Sequence, residues 1–337
     1  MTFLSVPSQI QTVAKCAICK GNELASFPVR EMQIGLRVIF QYGHCSACGA
    51  ITRLSKVPDL SEYYPPKYYS FQERSLQQHN GKFKSGLRSL RDRALLTGSV
   101  NPIGRFLGKI SKDSSSLHSI VGHCRVKLSS RILDVGCGSG RLLLRMAELG
   151  FRNLVGIDRY VPEAATIREA GVRITKGELS GLKESSFHLI MMHHVLEHCE
   201  DQVGQLRLAR DLLAPGGNIL IRQPVSDSKA FLRYGSSWFQ LDAPRHAAIH
   251  SVNSMRLLAH QSGLRIKKIV WDSTDQQFWA SEQYARGVSM YDEHSYLRNP
   301  ERSSFSLGQI LQWKKEATIL NENKVGDQAA FYIERDE

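Results

Sequence analysis

Long apolar runs are missing from this 337-residue chain. No window of about 18 uncharged apolar residues occurs, so no membrane-spanning helix is expected. The opening stretch, MTFLSVPSQIQTVAK, lacks a basic segment followed by a long apolar core. No signal peptide is expected, and the reading is of a cytoplasmic protein. Cysteine is sparse: seven in a chain of this length are too few for a disulfide scaffold. No internal repeat or long low-complexity tract is present. With 42% hydrophobic and 23% charged residues, the composition excludes a disordered, collagen-like or membrane-embedded chain. The length suits two domains, or one large domain with an appendage.

Acidic residues are outnumbered, giving a formal net charge of +12. The excess is local. Residues 82–131 carry 11 Lys and Arg against only Asp92 and Asp113. Such a block implies an acidic partner surface (RNA, anionic lipid or a phosphorylated substrate) or simply a solvated linker helix. Phe83, Leu87, Leu90 and Ala94 recur at helical spacing, with Lys82, Lys84, Arg88, Arg91 and Arg93 between them. That pattern predicts a basic amphipathic helix, which could pack on the next domain or dock on anionic membrane.

The chain divides into residues 1–58, with the cysteine pairs; 59–130, basic and rich in Tyr; and 131–337, with an insertion at 272–326. From 131 onward, strands alternate with helices. RILDV (131–135), LVGID (154–158), VRITKG (172–177), FHLIMMH (187–193) and NILIRQP (218–224) read as strands. RLLLRMAEL (141–149), PEAATIREA (162–170) and QVGQLRLARDLL (202–213) read as helices, the last closed by Pro215-Gly216-Gly217. A helix at 253–262, a strand at 264–271 and a closing strand AAFYIER (329–335) follow. This alternation implies βαβ units and a mostly parallel sheet.

Four of the cysteines form Cys16-Ala-Ile-Cys19 and Cys45-Ser-Ala-Cys48. Each pair can supply two thiolates, and two pairs complete a closed tetrahedral zinc site. Such a site has no open position, so the expected zinc is structural. The competing reading is a redox or disulfide pair, which explains the duplication less well. His44 abuts Cys45 and is a possible alternative ligand.

The strongest motif is Leu133-Asp134-Val135-Gly136-Cys137-Gly138-Ser139-Gly140, which follows a strand and opens a helix. Glycines let the backbone approach a ligand, and the helix N-terminus presents free N–H groups. Asp158 ends the next strand, where an acid can accept hydrogen bonds from both ribose hydroxyls. Dinucleotide folds use GxGxxG. Here the spacing is GxGxG, and Asp134 would repel a pyrophosphate but suits an ammonium group.

This pattern resembles motif I of the class I S-adenosylmethionine (SAM) methyltransferases. MMHHVLEHCED (191–201) and LLAPGGNILIRQP (212–224) resemble later segments of the same family. The resemblance implies an α/β, Rossmann-like fold with a seven-stranded, mostly parallel sheet, helices on both faces and a small N-terminal zinc-ribbon module. It also implies a SAM site made of Asp134, Gly136, Cys137, Gly138, Gly140, Asp158, Arg159, Glu178, Leu179 and His194. One departure is Arg159-Tyr160, where Pro-Phe or Pro-Tyr is usual. Nearly end to end, the chain resembles a bacterial group that joins a four-cysteine module to the SAM domain, as several sugar methyltransferases do. SEYYPPKYYSF (61–71), WFQLDAPRH (238–246) and DSTDQQFWASEQY (272–284) fit that group, which implies a role in polysaccharide or glycolipid biosynthesis.

Methyl transfer to a hydroxyl needs a base. His193, His194 and His198 follow the fourth strand of the core, and His246 and His250 follow the fifth. Both segments lie at carboxyl ends of parallel strands, where open α/β sheets bind ligands. His246 is the favoured base, with Glu197 or His198 orienting or replacing it. Trp238, Phe239, Asp242 and Arg245 are candidate pocket residues, although Asp242 and Arg245 could equally pair with each other. The expected reaction is O-methylation of a sugar, nucleotide-sugar or lipid-linked glycan. The alternatives are an RNA methyltransferase, bound through the zinc module and basic segment, and a non-catalytic zinc- and SAM-binding adaptor. The Asn/Asp-Pro-Pro-Tyr/Phe signature of base-amine transfer is absent after the fourth strand.

Overall fold

A computed structural model describes residues 15–22, 24–64, 122–124, 126–161, 171–183 and 185–336. The basic helix expected at 82–94, nearly all of the basic block, the Tyr-rich segment beyond Tyr64 and the helix expected at 162–170 lie outside the described residues.

The first three strands are β1 (Leu24–Arg30), β2 (Ile39–Cys45) and β3 (Ile51–Arg53), paired antiparallel in that order. The larger sheet opens with β4 (Arg131–Val135). Helix α1 (Arg141–Glu148), β5 (Asn153–Asp158), β6 (Val172–Lys176), β7 (Phe187–His193), α2 (Gln202–Leu212) and β8 (Leu213–Pro224) follow. Next come α3 (Lys229–Tyr234), β9 (Ala248–Ile249), α4 (Val252–Gln261), β10 (Leu264–Trp271), α5 (Gln276–Ala285), α6 (Leu307–Glu322) and β11 (Gln328–Arg335). The strand order of the large sheet is β10-β11-β8-β7-β4-β5-β6, with only β11 running antiparallel to its neighbours. This is the seven-stranded, mostly parallel α/β sheet that the sequence pattern implies.

Alternate residues of the strands feed two cores. Leu133, Ile219, Ile221, Phe331 and Ile333 face α2 and α4 through Leu206, Met255 and Leu258. Ile132, Leu154, Leu220 and Tyr332 face α1 through Leu143 and Met146. Helices therefore cover both faces, as a parallel sheet requires. Both α2 and α4 begin at a side-chain cap: Asp201 accepts from Gly204 N–H and Ser251 from Ser254 N–H. The expected insertion carries α5 and α6, which build their own core from Phe278, Trp279, Phe305 and Trp313.

Two local expectations change. Strand β8 starts at Leu213 rather than at 218, because Pro215-Gly216-Gly217 is absorbed as an irregularity in the strand, with Gly216 at φ +69°. The small sheet is also not built from N-terminal residues alone. Its fourth strand is β9, which pairs with β3 and comes from the segment after α3. That pairing presses the cysteine segment onto the main core, where Cys16, Ile18, Cys45 and Cys48 join the cluster around Met255 and Leu258. Ser251 Oγ donates to Cys48 O at 2.5 Å and Ser226 Oγ to Gly49 O at 2.5 Å. Among the described residues, no helix is long and apolar enough to cross a membrane.

Candidate active site

The carboxyl ends of β4, β5, β7 and β8 share one edge of the sheet. The glycine turn leaves β4 with Gly136, Gly138 and Gly140 all at positive φ. A Cβ at Gly140 would sit 2.0 Å from Ile174 Cδ1, and one at Gly136 would sit 2.5 Å from Val195 Cγ2. Neither position has room for a larger residue. Gly136 N–H and Cys137 N–H donate to Ile157 O, which ties the turn to β5. Asp158 closes it: Oδ2 accepts from Gly138 N–H at 2.9 Å and Oδ1 from Tyr160 N–H at 2.8 Å. Asp134 is buried behind the turn. Burial, then the nearby charge of Asp158, pushes its carboxyl up to about 8. A buried acid of this kind is a ready partner for a cationic ligand group. Arg159 Nε pairs with Glu178 Oε1 at 2.9 Å, and Leu179 is buried.

The five candidate histidines separate into two kinds. His250 is a satisfied core residue, with Nδ1 3.1 Å from Ser254 Oγ and Nε2 2.6 Å from Gln202 Oε1. Burial holds it neutral, down at about 4. His193 ends β7, and burial followed by the Arg222 charge lowers it to about 3. Its Nε2 is buried without a partner. His194, in the left-handed region at φ +54°, turns the chain toward the site. Its Nε2 lies 2.9 Å from Arg222 Nη1 and its Nδ1 3.1 Å from Glu197 Oε1. Since Arg222 can only donate, Nδ1 carries the proton and donates to Glu197.

Glu197, His198 and His246 converge, with one potential ligand atom from each lying within 4.8 Å of the others. Glu197 is fully buried on the short turn after β7. Burial alone would raise its carboxyl, but the His194 hydrogen bond and the neighbouring histidines hold it at about 2. Its Oε2 has no hydrogen-bond partner. The His198 and His246 rings meet edge-on, with centroids 4.7 Å apart. His198 Nδ1 lies 3.1 Å from Arg245 O and 3.1 Å from Tyr64 Oη. Burial, then His246, lowers His198 to about 4. His246 Nδ1 lies 2.7 Å from Gln240 O, which leaves Nε2 with the lone pair.

Arg245 does not line a pocket. Its side chain is fully buried and grips Asp242 in a fork, with Nε–Oδ2 at 2.9 Å and Nη2–Oδ1 at 2.5 Å. It also reaches Tyr63 O at 3.0 Å and Glu31 Oε1 at 3.4 Å. Burial would raise the Asp242 carboxyl, but the Arg245 charge keeps it at about 2. Trp238 is likewise a core residue, donating from Nε1 to Asp327 Oδ2 at 3.1 Å. Glu31 and Tyr42 were not legible as site residues. Tyr42 Oη donates to His246 O at 2.8 Å, so the N-terminal strands directly brace the histidine loop.

The four N-terminal cysteines form one cluster, with Cys16 Sγ 3.6 Å from Cys48 Sγ and Cys19 Sγ 3.6 Å from Cys45 Sγ. Tetrahedral zinc–thiolate bonds of about 2.3 Å put sulfurs about 3.8 Å apart, so these residues fit zinc well. None of them is disulfide-bonded. Each knuckle is closed by backbone bonds, Cys16 N–H to Gly21 O and Cys45 N–H to Ala50 O.

Comparison with known proteins bears on the larger part of the chain. A ubiquinone biosynthesis O-methyltransferase of Cereibacter sphaeroides is 33% identical over 127 residues, which cover 34% of this chain and 50% of that relative. One from Dinoroseobacter shibae is 29% identical over 170 residues, 45% of this chain and 68% of the relative. The chain spans about half the length of most of the curated relatives it matches. The crystal structure of a SAM-dependent methyltransferase from Archaeoglobus fulgidus superposes with a TM-score of 0.39 at 20% identity, over 61% of this chain and 86% of that one. The family described as methyltransferase domain matches residues 100–269, just over half of the chain, and the protein belongs to that family.

Proposed function

We propose that the chain is a SAM-dependent methyltransferase acting on a hydroxyl oxygen, with a sugar, nucleotide-sugar or lipid-linked glycan as the acceptor. The observation that carries this reading is the meeting of Glu197, His198 and His246 beside the glycine turn, at the strand ends. The O-methyltransferase names of the relatives support the acceptor atom. The sugar acceptor rests on the resemblance drawn from the sequence.

SAM supplies an electrophilic methyl carbon on a sulfonium centre. The residues around the turn fit it. Asp134 offers a buried acid for the ammonium group, and ionises when that group arrives. Asp158 offers a carboxylate for the ribose hydroxyls, exchanging its bond to Gly138 N–H for them. Gly136, Cys137, Gly138 and Gly140 provide close backbone approach, and Arg159, Glu178, Leu179 and His194 border the same edge. The acceptor hydroxyl faces His246. Its oxygen forms the new bond to the methyl carbon as the sulfur–carbon bond breaks, and its proton passes to His246 Nε2. Donation from Nδ1 to Gln240 O holds that tautomer. Asp242 Oδ2, 3.8 Å from His246 Nε2, stabilises the imidazolium that results. Cys16, Cys19, Cys45 and Cys48 would hold a structural zinc, which would tie the two knuckles of the N-terminal segment together beside the histidine loop.

The test is methyl transfer from isotopically labelled SAM by the purified, zinc-loaded protein. Acceptors are cell extract split into RNA, protein and glycan-plus-lipid fractions. Label in the glycan-plus-lipid fraction is expected, and label confined to RNA would overturn the acceptor class. His246→Ala should lose transfer and keep SAM binding. Loss of SAM binding in that variant would remove His246 from its assigned role.

A further inference from the structure

We propose that Glu197, His198 and His246 form a second metal site, for a divalent ion that accepts nitrogen and oxygen ligands, such as Zn2+ or Co2+. Three observations carry it. The three potential ligand atoms lie within 4.8 Å of one another. Metal bonds of about 2.0–2.2 Å put ligand atoms about 3–3.6 Å apart, so the cluster closes on an ion with side-chain adjustments of roughly 1 Å. Glu197 Oε2 is buried and has no hydrogen-bond partner, while its Oε1 is held by His194. His246 faces a backbone carbonyl through Nδ1, at Gln240 O, and His198 Nδ1 lies 3.1 Å from Arg245 O and 3.1 Å from Tyr64 Oη. Donation from Nδ1–H to a carbonyl is the arrangement that aims Nε2 at a metal.

The ligands come from two separate places, the turn after β7 and the loop after α3. That loop is locked by Arg245 between Asp242 and Glu31. The site is therefore built by packing and needs little ordering when the ion arrives. Two imidazoles and one carboxylate leave coordination positions open, and this donor set suits Zn2+, Co2+ or Fe2+ better than Mg2+ or Ca2+. It is distinct from the four-thiolate site in position and in ligand type.

One consequence rests on the proposed hydroxyl transfer. An ion held by His246 Nε2 occupies the lone pair that takes the hydroxyl proton. Metal binding and proton acceptance at His246 therefore exclude one another, and occupancy should suppress transfer.

The experiment titrates Co2+ into the full-length protein with zinc already in the cysteine site. One further equivalent is expected to bind, giving weak d–d bands and none of the intense charge-transfer absorption of cobalt–thiolate bonds. His198→Ala and Glu197→Gln should each weaken binding more than roughly tenfold, since even changes beyond the ligands themselves cost that much. Absence of a second equivalent, or thiolate bands in its spectrum, would overturn the site. The wild-type spectrum decides this even where a variant does not fold. Unchanged Co2+ affinity in both variants would overturn it too. Transfer activity is read in parallel. Activity falling in step with occupancy supports the site and its consequence. Activity rising with occupancy leaves the site standing and overturns His246 as proton acceptor, so the two readings fail separately.

Discussion

Asp134 should release a proton when SAM or its demethylated product binds. Burial and the Asp158 charge raise the Asp134 carboxyl to about 8, so at pH 7 roughly nine in ten ligand-free molecules carry it protonated. The ligand's ammonium group favours the ionised form, and the proton must leave. Binding at pH 7 should therefore release close to one proton. Over pH 6–7, where the ligand's ammonium stays charged, the dissociation constant should fall about tenfold, since one pKa unit corresponds to about 1.4 kcal/mol. The assay is calorimetric titration with S-adenosylhomocysteine in two buffers of different ionisation enthalpy, which counts protons directly. Asp134→Asn should bind more weakly, release no proton and show a flat pH dependence. A wild-type release near zero at pH 7, or the same release from Asp134→Asn, would refute the reasoning. The same shift acts on folding. The folded carboxyl titrates above its unfolded value of 3.8, so the folded state holds the extra proton between about pH 4 and 8. The ligand-free protein should lose stability as pH rises through that window, by roughly 6 kcal/mol at most, and Asp134→Asn should remove that dependence in thermal melts.

Further expectations concern the frame of the site. Gly140→Ala places a side chain in the left-handed region and against Ile174, so it should destabilise by about 2 kcal/mol or more and lower the thermal midpoint. Arg245→Ala leaves Asp242 and Glu31 buried without their cation and should cost about 3–5 kcal/mol in urea unfolding. Glu197 and Asp242 both titrate near 2 in the folded chain, below their ordinary values. Their contribution to stability should be present above about pH 4.5 and drain away as pH falls toward 2, seen as a falling acid-side melting temperature. Cys48→Ser should lose metal by elemental analysis and also impair transfer, because the cysteine segment packs on the core beneath α4.

Much of the frame was legible because it is set by neighbours in the chain. Strands β4, β7 and β10 have the same limits in sequence pattern and structure, since apolar runs bounded by turns report burial locally. The glycine turn was legible because positive φ and a crowded Cβ demand glycine whatever lies elsewhere. The cysteine cluster was legible because two knuckles of fixed spacing need only one meeting point. Sorting the histidines was not possible from spacing. His193 and His194 are adjacent, yet one ends in the core and the other bonds Arg222 and Glu197. His246 and His250 are four apart, yet Gln202 and Ser254 claim only the second. Arg245 read equally well as a substrate clamp or an ion pair until Glu31, 214 positions away, proved to share its guanidinium.

The sequence by itself determined the α/β alternation, the glycine turn with its two acids and the paired cysteines. Each depends on backbone conformation or side-chain chemistry within a few residues. Only the tertiary structure decided that β9 completes the N-terminal sheet, that the cysteine segment packs on the main core and that Glu197, His198 and His246 share one point. Those outcomes depend on which strand edge stays open and which buried polar atoms find partners, and both are settled only when distant segments pack together.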